Sequence, residues 1–328
     1  MDRQKLLIIV GPTASGKSDL AVSLAKKFNG EVISADSRQI YRNLAIGSGT
    51  VTKKEMAGIA HHLLGVISPR RVFTAAQFVA RARRAIAAIA RRGHVPIVAG
   101  GAAFWIDALV DGMALPEVEP DMALRRRLEK KSAAVLLAML EKMDPRRAAG
   151  IEQKNPRRLI RAIEIARSLG AVPTLKKHFP YDALWIGIAL PRGAWMRRVA
   201  RRVGAMIRRG LIAETKKLIS QGVGERRIRE FGFEYTAALD AIVGAIPRRE
   251  LAPRIIRHTA RYARRQMQWW RRNGDIRWIS VPADAVRITA NWLRKSGSRA
   301  ATTRTGRRSP TFALPPPPPP RLHPAFSD

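Results

Sequence analysis

The sequence predicts an α/β protein that has a core with a parallel sheet, an inserted all-helical domain and a basic helical C-terminal part. Three observations predict it. A glycine-rich motif follows an apolar run near the N-terminus, strand and helix signals alternate over residues 1–112, and a helix-only segment comes next. The 328 residues are 46% hydrophobic, which is enough to bury a full core in more than one domain.

The glycine-rich motif is GPTASGKS at residues 11–18, directly after the apolar run from Leu6 to Val10. This spacing is that of a phosphate loop, whose backbone N–H groups point at phosphate oxygens. Lys17 adds a positive charge, and the Ser18 hydroxyl can hold Mg²⁺. The residues predicted to bind a di- or triphosphate are Gly11, Pro12, Thr13, Ala14, Ser15, Gly16, Lys17 and Ser18. A chance match in a turn is the alternative, but the flanking strand and helix signals favour a P-loop nucleotide fold.

Residues 1–112 are predicted to form the first part of this core. Strand signals lie at residues 5–10, 31–35 and 95–99. Between the last two, a helix begins at Thr74, whose hydroxyl can form a capping box with Gln77. Its predicted buried face consists of Phe78, Ala82, Ile86 and Ile89.

Residues 113–182 show helix signals separated by short turns and predict an inserted helical domain. The clearest helix has Asn155 as its N-cap and Pro156 in its first turn, and it ends at Gly170. The apolar segment at residues 183–190 then predicts a buried strand that returns the chain to the sheet.

Residues 183–295 are predicted to complete the core and to carry basic helices. Between Arg192 and Arg272 there are 21 Lys and Arg against 6 Asp and Glu, a net charge of +15. A helical wheel of residues 254–272 separates a basic face, with Arg254, Arg257, Arg261, Arg264 and Arg265, from a packing face, with Ile255, Thr259, Tyr262, Gln266 and Trp270. The basic face is expected to meet phosphates, and a solvated arginine face is the alternative.

The composition of the whole chain favours a polyanionic partner. It has 61 Lys and Arg against 25 Asp and Glu, a formal net charge of +36, so nucleic acid is the first candidate and an arginine-rich genome is the alternative. The lack of cysteine excludes disulfides, zinc fingers and a cysteine nucleophile. No signal peptide or long apolar run is present, which predicts a cytoplasmic protein without membrane contact. Residues 296–328, rich in Pro and Arg, are expected to be a disordered tail.

One acidic residue is expected beside the phosphate loop. Many phosphate-loop hydrolases end a second apolar strand in Asp, but the strand signal at residues 95–99 is followed by Gly100 and Gly101. The strand-end acid is instead Asp36, after the signal at residues 31–35. At the carboxyl end of a strand in an open sheet, Asp36 would lie in the ligand crevice. We predict Asp36 as the catalytic base and Lys17 as its catalytic partner, and a turn or capping acid is the alternative.

At these residues the chain resembles the tRNA dimethylallyltransferases, also called tRNA isopentenyltransferases, of the bacterial type. The resemblance spans about residues 6–280. The motifs that carry it are GPTASGKS at 11–18, DSRQIY at 36–41, HHLL at 61–64, NPRR at 155–158 with RAIE at 161–164, and T-x-x-Y-A-R-R-Q-x-x-W at 259–269. A phosphate loop is shared by many enzymes, but its combination with DSxQxY and RRxxRAxE is specific.

The resemblance implies transfer of a dimethylallyl group from dimethylallyl diphosphate to the N6 amine of the tRNA adenosine just 3′ of the anticodon. It implies Mg²⁺ as the cofactor, the anticodon stem-loop as the RNA partner and a monomer as the acting form. It assigns tRNA contacts to Asp36, Ser37, Arg38, Gln39, Ala102, Arg125, Arg157, Arg158, Leu159, Ile160, Arg161, Arg198 and Arg202.

The residues suit this chemistry independently. An adenine amine is a weak nucleophile, so a base such as Asp36 that takes its proton helps the new C–N bond to form. The leaving diphosphate would be stabilised by the loop N–H groups, by Lys17 and by Mg²⁺ on Ser18. Because no water needs activation, the missing second acidic motif is accounted for.

The chain departs from the family pattern at two places. Ala102 and Trp105 stand where the family usually has Thr and Tyr, so a hydroxyl near the diphosphate or the amine is missing. Gly232-Phe233-Glu234-Tyr235 replaces Gly-Tyr-Lys/Arg-Glu. Two other functions stay open, namely an ATP-dependent small-molecule or nucleoside kinase and a catalytically inactive tRNA-binding relative.

Overall fold

A computed structural model describes residues 3–295, and the predicted tail at residues 296–328 lies outside them. Six strands form one sheet in the order β3-β2-β4-β1-β5-β6, and each neighbouring pair is parallel. The strands are β1 (Gln4–Val10), β2 (Gly30–Ala35), β3 (His61–His62), β4 (Val95–Gly100), β5 (Tyr181–Ile188) and β6 (Arg277–Ile279). The predicted α/β class with a parallel sheet is confirmed.

The helices follow the strands in the alternation that the sequence predicts. They are α1 (Lys17–Lys27), α2 (Ala45–Ser48), α3 (Lys53–Met56), α4 (Ala75–Arg91), α5 (Ala103–Val110), α6 (Met122–Leu128), α7 (Ala133–Met143), α8 (Pro145–Ala149), α9 (Pro156–Leu169), α10 (Arg192–Arg208), α11 (Leu211–Ser220), α12 (Glu225–Glu230), α13 (Phe233–Ile242), α14 (Leu251–Trp270) and α15 (Pro282–Arg294). Within residues 3–295, none of them combines the length and the apolar character needed to cross a bilayer.

Helices cover both faces of the sheet, which explains the uninterrupted apolar run of β1. Successive side chains of a strand point to opposite faces. Leu6, Ile8 and Val10 pack with residues of α4, α5, α10, α13 and α14, whereas Leu7 and Ile9 pack with residues of α1 and α15. The phosphate loop at the end of β1 therefore extends from a strand that is buried on both sides.

Two helix starts form as their sequences predict. The Thr74 side chain accepts a hydrogen bond from the Gln77 backbone N–H at 3.2 Å, and Gln77 Oε1 accepts from the Thr74 N–H at 3.1 Å, so the capping box of α4 is present. All four residues of its predicted apolar face are buried. Asn155 caps α9 by accepting from the Arg158 N–H at 3.4 Å, and the helix is followed by Gly170.

The segment between β4 and β5 is helical, with α6 to α9 around a core of their own that includes Leu124, Leu136, Leu140, Leu159 and Ile163. The predicted insertion reaches residue 182, but β5 begins at Tyr181. Tyr181 and Asp182 already pair with Gln4 and Lys5 of β1, so these two residues belong to the sheet.

The amino-terminal edge of the sheet carries a buried carboxylate with three partners. Glu31, in β2, accepts hydrogen bonds from Arg92 at 2.9 and 2.7 Å, from His62 Nε2 at 2.6 Å and from His94 Nδ1 at 2.7 Å. The bonds from Arg92 first, then those from His62 and His94, outweigh burial and lower the pKa of Glu31 to about 2. This cluster ties β2, β3 and the start of β4 together, at the end of the sheet opposite to Asp36.

Candidate active site at the phosphate loop

The phosphate loop curls between β1 and α1 as its glycines require. Gly16 precedes the helix with φ of +96°, a left-handed conformation that residues with a Cβ rarely adopt. Lys17 Nζ donates to the carbonyl oxygens of Gly11 and Pro12 at 3.1 and 2.8 Å. Burial, and then the nearby Arg202, lower the pKa of Lys17 to about 8, although Asp36 opposes the shift.

A cavity of about 500 Å³ opens in front of this loop. Its walls come from five parts of the chain: the phosphate loop with the start of α1, the turn after β2, the segment from α2 to α3, the Gly100-Gly101 turn after β4, and one side of α10. The charged side chains that line it are Lys17, Asp19, Asp36, Arg38, Glu55, Arg198, Arg201, Arg202 and Arg209. Five of these are arginines, so the cavity is suited to a polyanionic group such as a diphosphate.

Asp36 lies at the end of β2 and lines the cavity. Its Oδ1 accepts from the backbone N–H groups of Arg38 at 2.9 Å and Gln39 at 3.4 Å. Oδ1 therefore acts as a turn acid, which was the alternative role that the sequence left open for Asp36. Oδ2 has no hydrogen-bond partner among residues 3–295, so one carboxylate face remains available to a ligand.

Arg198 and Arg202, predicted as tRNA contacts, lie against the loop regions that form the cavity. Arg198 Nη1 donates to the Ser15 carbonyl oxygen at 3.0 Å, and Arg202 Nη2 donates to the Ser48 carbonyl oxygen at 3.1 Å. Burial first and Arg38 second lower the pKa of Arg202. The packing of α10 therefore brings both guanidinium groups to the cavity in front of the phosphate loop.

Arg38 is held by an acidic residue that sequence reasoning left without a role. Its Nη1 is hydrogen-bonded to Glu234 Oε2 at 2.5 Å, and its Nε is 3.9 Å from Asp36 Oδ1. Burial would lower the pKa of Arg38, but Glu234 and then Asp36 raise it above its ordinary value. The guanidinium also lies 5.8 Å from the centre of the Phe233 ring. The Gly232-Phe233-Glu234-Tyr235 departure was the only sequence signal for this contact.

Tyr235, which belongs to the same departure from the family pattern, supports the loop after β2. The Tyr235 hydroxyl donates to Glu214 Oε1 at 2.8 Å, and burial raises the pKa of Tyr235. Glu214 in turn accepts from the backbone N–H groups of Ile46 and Gly47. The first turn of α13 therefore fixes both Arg38 and the cavity wall at Ile46.

Two further side chains clamp one peptide unit of the phosphate loop. Gln266 Oε1, from α14, accepts from the Thr13 backbone N–H at 2.9 Å, and Trp195 Nε1, from α10, donates to the Thr13 carbonyl oxygen at 2.8 Å. Gln266 Nε2 donates to the Gly101 carbonyl oxygen at 3.1 Å. The wheel placed Gln266 on the packing face, but it could not identify Thr13 as the partner.

Ala102 and Trp105, which depart from the family pattern, make a backbone hydrogen bond and ring contacts within the protein. Ala102 precedes α5 and offers only its backbone, whose N–H donates to the Ala35 carbonyl oxygen at 3.0 Å. The Trp105 ring stacks on Phe78 at 4.9 Å between centroids and meets the edge of Phe73 at 5.7 Å. Neither position supplies a hydroxyl to the cavity.

The predicted arginine contacts of the helical insertion divide into exposed ones and half-buried ones that are paired with a carboxylate. Arg157 and Arg158 are exposed in the first turn of α9. Arg125 makes two hydrogen bonds to Glu164, at 2.7 and 2.8 Å, and Arg161 donates to the same carboxylate at 3.3 Å. These two arginines therefore neutralise a buried carboxylate and hold the insertion together.

Leu159 and Ile160 require a correction. They were assigned to tRNA contact by resemblance, but their relative exposures are 0% and 5%, and both lie in the core of the insertion. A buried aliphatic side chain has no surface to offer an RNA. Their place in the sequence motif reflects packing of α9, and they are left out of the proposed contacts.

The basic face of α14 is largely free, as the wheel predicts. Ile255, Thr259, Gln266 and Trp270 are buried, whereas Arg257, Arg261, Arg264 and Arg265 are exposed. Two of the basic residues have carboxylate neighbours, since the Arg254 guanidinium lies 2.9 Å from Asp240 and the Arg257 guanidinium lies 3.8 Å from Glu250. We call the exposed residues Arg257, Arg261 and Arg264 the arginine stripe.

The residues at the loop fit a magnesium ion that is shared with a phosphorylated ligand. Ser18 lines the cavity at the start of α1, where its hydroxyl can serve as an oxygen ligand of the ion. Residues 3–295 contain no cluster of three or more His, Cys, Asp or Glu side chains able to enclose a metal by themselves. Such a site suits Mg²⁺, which usually keeps waters and takes phosphate oxygens, better than a structural metal.

Comparison with known proteins extends over most of the chain. Residues 39–273 match the family described as IPP transferase. The chain is 37% identical to the tRNA dimethylallyltransferase of Thermomicrobium roseum, over 85% of this chain and 87% of that protein. It is also 37% identical to the tRNA dimethylallyltransferase of Limosilactobacillus reuteri, over 89% of this chain and 99% of that protein.

Solved structures show the same similarity. The full-length tRNA isopentenylpyrophosphate transferase from Bacillus halodurans superposes with a TM-score of 0.68 at 34% identity, over 89% of this chain and 98% of that one. A eukaryotic dimethylallyltransferase, described as acting on tRNA, superposes with a TM-score of 0.74 at 27% identity, over 88% of this chain and 79% of that one.

Proposed function

The chain belongs to the IPP transferase family, and on that premise we propose that it is a tRNA dimethylallyltransferase. Its reaction transfers a dimethylallyl group from dimethylallyl diphosphate to the N6 amine of the adenosine that follows the anticodon, and it releases diphosphate. One observation carries the proposal: the phosphate loop, the free oxygen of Asp36 and the arginines of α10 face one cavity.

The diphosphate is proposed to bind at the basic side of this cavity. The N–H groups of Gly16, Lys17 and Ser18 stand at the start of α1, where N–H groups lack acceptors within the helix. Lys17, Arg198 and Arg202 add positive charge around them. As the bond to the leaving oxygen breaks, these fixed donors stabilise the growing negative charge.

Asp36 is proposed to take the proton of the amine. The N6 nitrogen forms a bond to the first carbon of the dimethylallyl group, and the bond from that carbon to the diphosphate oxygen breaks. The bonding electrons leave with the diphosphate, and one amine proton moves to Oδ2 of Asp36. Oδ1 is held by the turn, so the base keeps one orientation throughout.

Mg²⁺ is proposed to be held by the Ser18 hydroxyl together with diphosphate oxygens. When bound, it would neutralise charge on the leaving group. The prenyl chain is proposed to lie against the apolar residues of the same cavity, which include Ile46, Val51, Ala99 and Met206.

The tRNA is proposed to bind through two exposed basic surfaces, Arg157 and Arg158 on α9 and the arginine stripe on α14. Exposed arginines address RNA phosphates and unpaired bases. Ser37, Arg38, Gln39 and Ala102 remain proposed contacts at the cavity. Because one chain carries the whole cavity, we propose that a monomer acts, and its tRNA substrate favours a cytoplasmic location.

The proposal is tested by diphosphate release from the purified protein. We expect release that requires both dimethylallyl diphosphate and unmodified tRNA, with Mg²⁺ present. A kinase would instead form ADP from ATP in the presence of a nucleoside or another small acceptor. A catalytically inactive relative would bind tRNA and form neither product.

A further inference from the structure

A second, small cavity of about 20 Å³ adjoins the large one, and Ser18 lines both. It lies where the start of α1 meets the carboxyl ends of β2 and β4, with β3 at its side. This volume has room for about one water molecule. The polar residues that line it are Ser18, Ser34, Gln39 and His61, so a water molecule there has hydrogen-bond partners.

His61 offers this cavity an acceptor. Its Nδ1 is 2.9 Å from the carbonyl oxygen of Ile59, which can only accept, so Nδ1 carries the ring proton. Burial, the largest cause, lowers the pKa of His61, so the ring carries no charge near neutral pH. Ile59 lies outside the lining of the cavity. The ring nitrogen left for the cavity is therefore Nε2, which has a free lone pair.

Ser34 offers a second acceptor because its proton is already used. Gln39 Nε2 donates to the carbonyl oxygen of Gly49 at 3.4 Å, so Oε1 is the end of this amide that faces Ser34. The Ser34 hydroxyl donates to that Oε1 at 3.0 Å. Gln39 is thus bonded at both ends, whereas the Ser34 oxygen keeps lone pairs for another donor.

The Ser18 hydroxyl needs an acceptor when it holds Mg²⁺. Its oxygen then gives a lone pair to the ion, so its proton has to point away from the ion and be accepted elsewhere. Many phosphate-loop hydrolases have an Asp at the end of a second strand near the metal. Here β4 ends at Gly100, which offers no carboxylate, and the small cavity lies beside it.

We propose that one water molecule in the small cavity accepts from the Ser18 hydroxyl and donates to His61 Nε2 and Ser34 Oγ. His61 is then a positioning residue, which keeps the Ser18 oxygen turned towards the ion through this water. Three hydrogen bonds are the usual number for a buried water. The inference rests on the magnesium site of the proposed function and deepens it.

The experiment measures, by calorimetry, the dissociation constant of inorganic diphosphate for the full-length protein without tRNA, once with EDTA and once with Mg²⁺. The ratio of the two constants reports the coupling between metal and diphosphate. His61→Asn keeps an N–H for Ile59 but removes the acceptor at the position of Nε2. It should lower the ratio about tenfold and leave the EDTA value unchanged, because a group that orients a metal ligand contributes about this much to metal affinity.

His61→Gln is the matched rescue variant. Its side chain can place an oxygen at the position of Nε2, but it loses the bond to Ile59, so the ratio should stay close to that of the wild type. A merely structural role for the Ile59 bond predicts the opposite order of the two variants. His62→Asn is the control on the same strand, since His62 is bonded to Glu31 and does not line the cavity. It should leave the ratio unchanged.

Ser34→Ala removes the other acceptor and should also lower the ratio, which keeps the test decisive if His61→Asn does not fold. The proposal is overturned by a folded His61→Asn or Ser34→Ala variant with the wild-type ratio, or by a His61→Gln variant that loses as much as His61→Asn. A wild type whose diphosphate affinity does not respond to Mg²⁺ would contradict the magnesium site itself. Because no turnover is measured, absence of tRNA prenylation would count against the proposed function alone.

Discussion

Diphosphate binding is expected to draw a proton from solution, because it restores the charge of Lys17. Burial, followed by Arg202, lowers the pKa of Lys17 from 10.5 to about 8. At pH 8, about half of the free protein therefore carries a neutral Lys17, and at pH 7 about a tenth does. A bound diphosphate raises this pKa again, since it places negative charge beside the amine. Binding should take up about half a proton per site at pH 8 and about a tenth at pH 7.

The assay is calorimetric titration with magnesium diphosphate at both pH values, in pairs of buffers with different ionisation enthalpies. Lys17→Arg is the control because a guanidinium stays protonated over this range. Protons that diphosphate itself gains or loses on binding are the same for both proteins, so they cancel when the proton uptake of one protein is subtracted from that of the other. Above pH 8 the wild-type affinity should fall by up to about tenfold per pH unit relative to the control. Equal proton uptake by the two proteins at pH 8 would show that Lys17 is already fully charged in the free protein.

Three further predictions concern the base, the sheet and the RNA surface. Asp36→Asn should reduce turnover at least about 100-fold, because the amide cannot take the proton. It should preserve tRNA affinity, because Asn Oδ1 still accepts from the turn N–H groups. A variant that retains more than about a tenth of the turnover would show that Asp36 is not the base. Glu31→Gln should cost about 2 kcal/mol of unfolding free energy at pH 7, and the loss should shrink as the pH falls from about 4.5 towards 2, where the native carboxylate is protonated too. Denaturant titrations at pH 7 and pH 3 check this, and a pH-independent loss would contradict it. Replacing the arginine stripe, Arg257, Arg261 and Arg264, with Ala should lower the slope of log affinity against log salt by about one unit per lost phosphate contact; an unchanged slope in filter-binding assays would mean that these arginines are only solvated.

The sequence predicts local features well because they depend on residues close together in the chain. The phosphate loop, the Thr74 capping box and the Asn155 cap each need only a few consecutive residues, and all three are present. Asp36 had two interpretations from the sequence, a local one as a turn acid and one that depended on its place at the end of a strand in the sheet. The structure gives Oδ1 to the turn and leaves Oδ2 free, so the turn contact and the proposed base role are compatible.

Contacts between distant segments could not be predicted in the same way. Arg198 and Arg202 were assigned to RNA by the family resemblance, and only the packing of α10 beside the loop shows that they line the cavity. Leu159 and Ile160 were carried over with their motif, although the period of α9 already turns them inward. The partner of Gln266 is 253 positions away, a distance at which a helical wheel identifies a buried face but no partner.

The most direct test of the account is nucleoside mass analysis of unmodified tRNA after incubation with the purified protein, Mg²⁺ and either dimethylallyl diphosphate or ATP. One adenosine, next to the anticodon, should gain a five-carbon prenyl group with dimethylallyl diphosphate and nothing with ATP. The Asp36→Asn variant should abolish this gain while the tRNA still binds. Unmodified tRNA with the wild-type protein, or a phosphorylated nucleoside in the ATP reaction, would contradict the account.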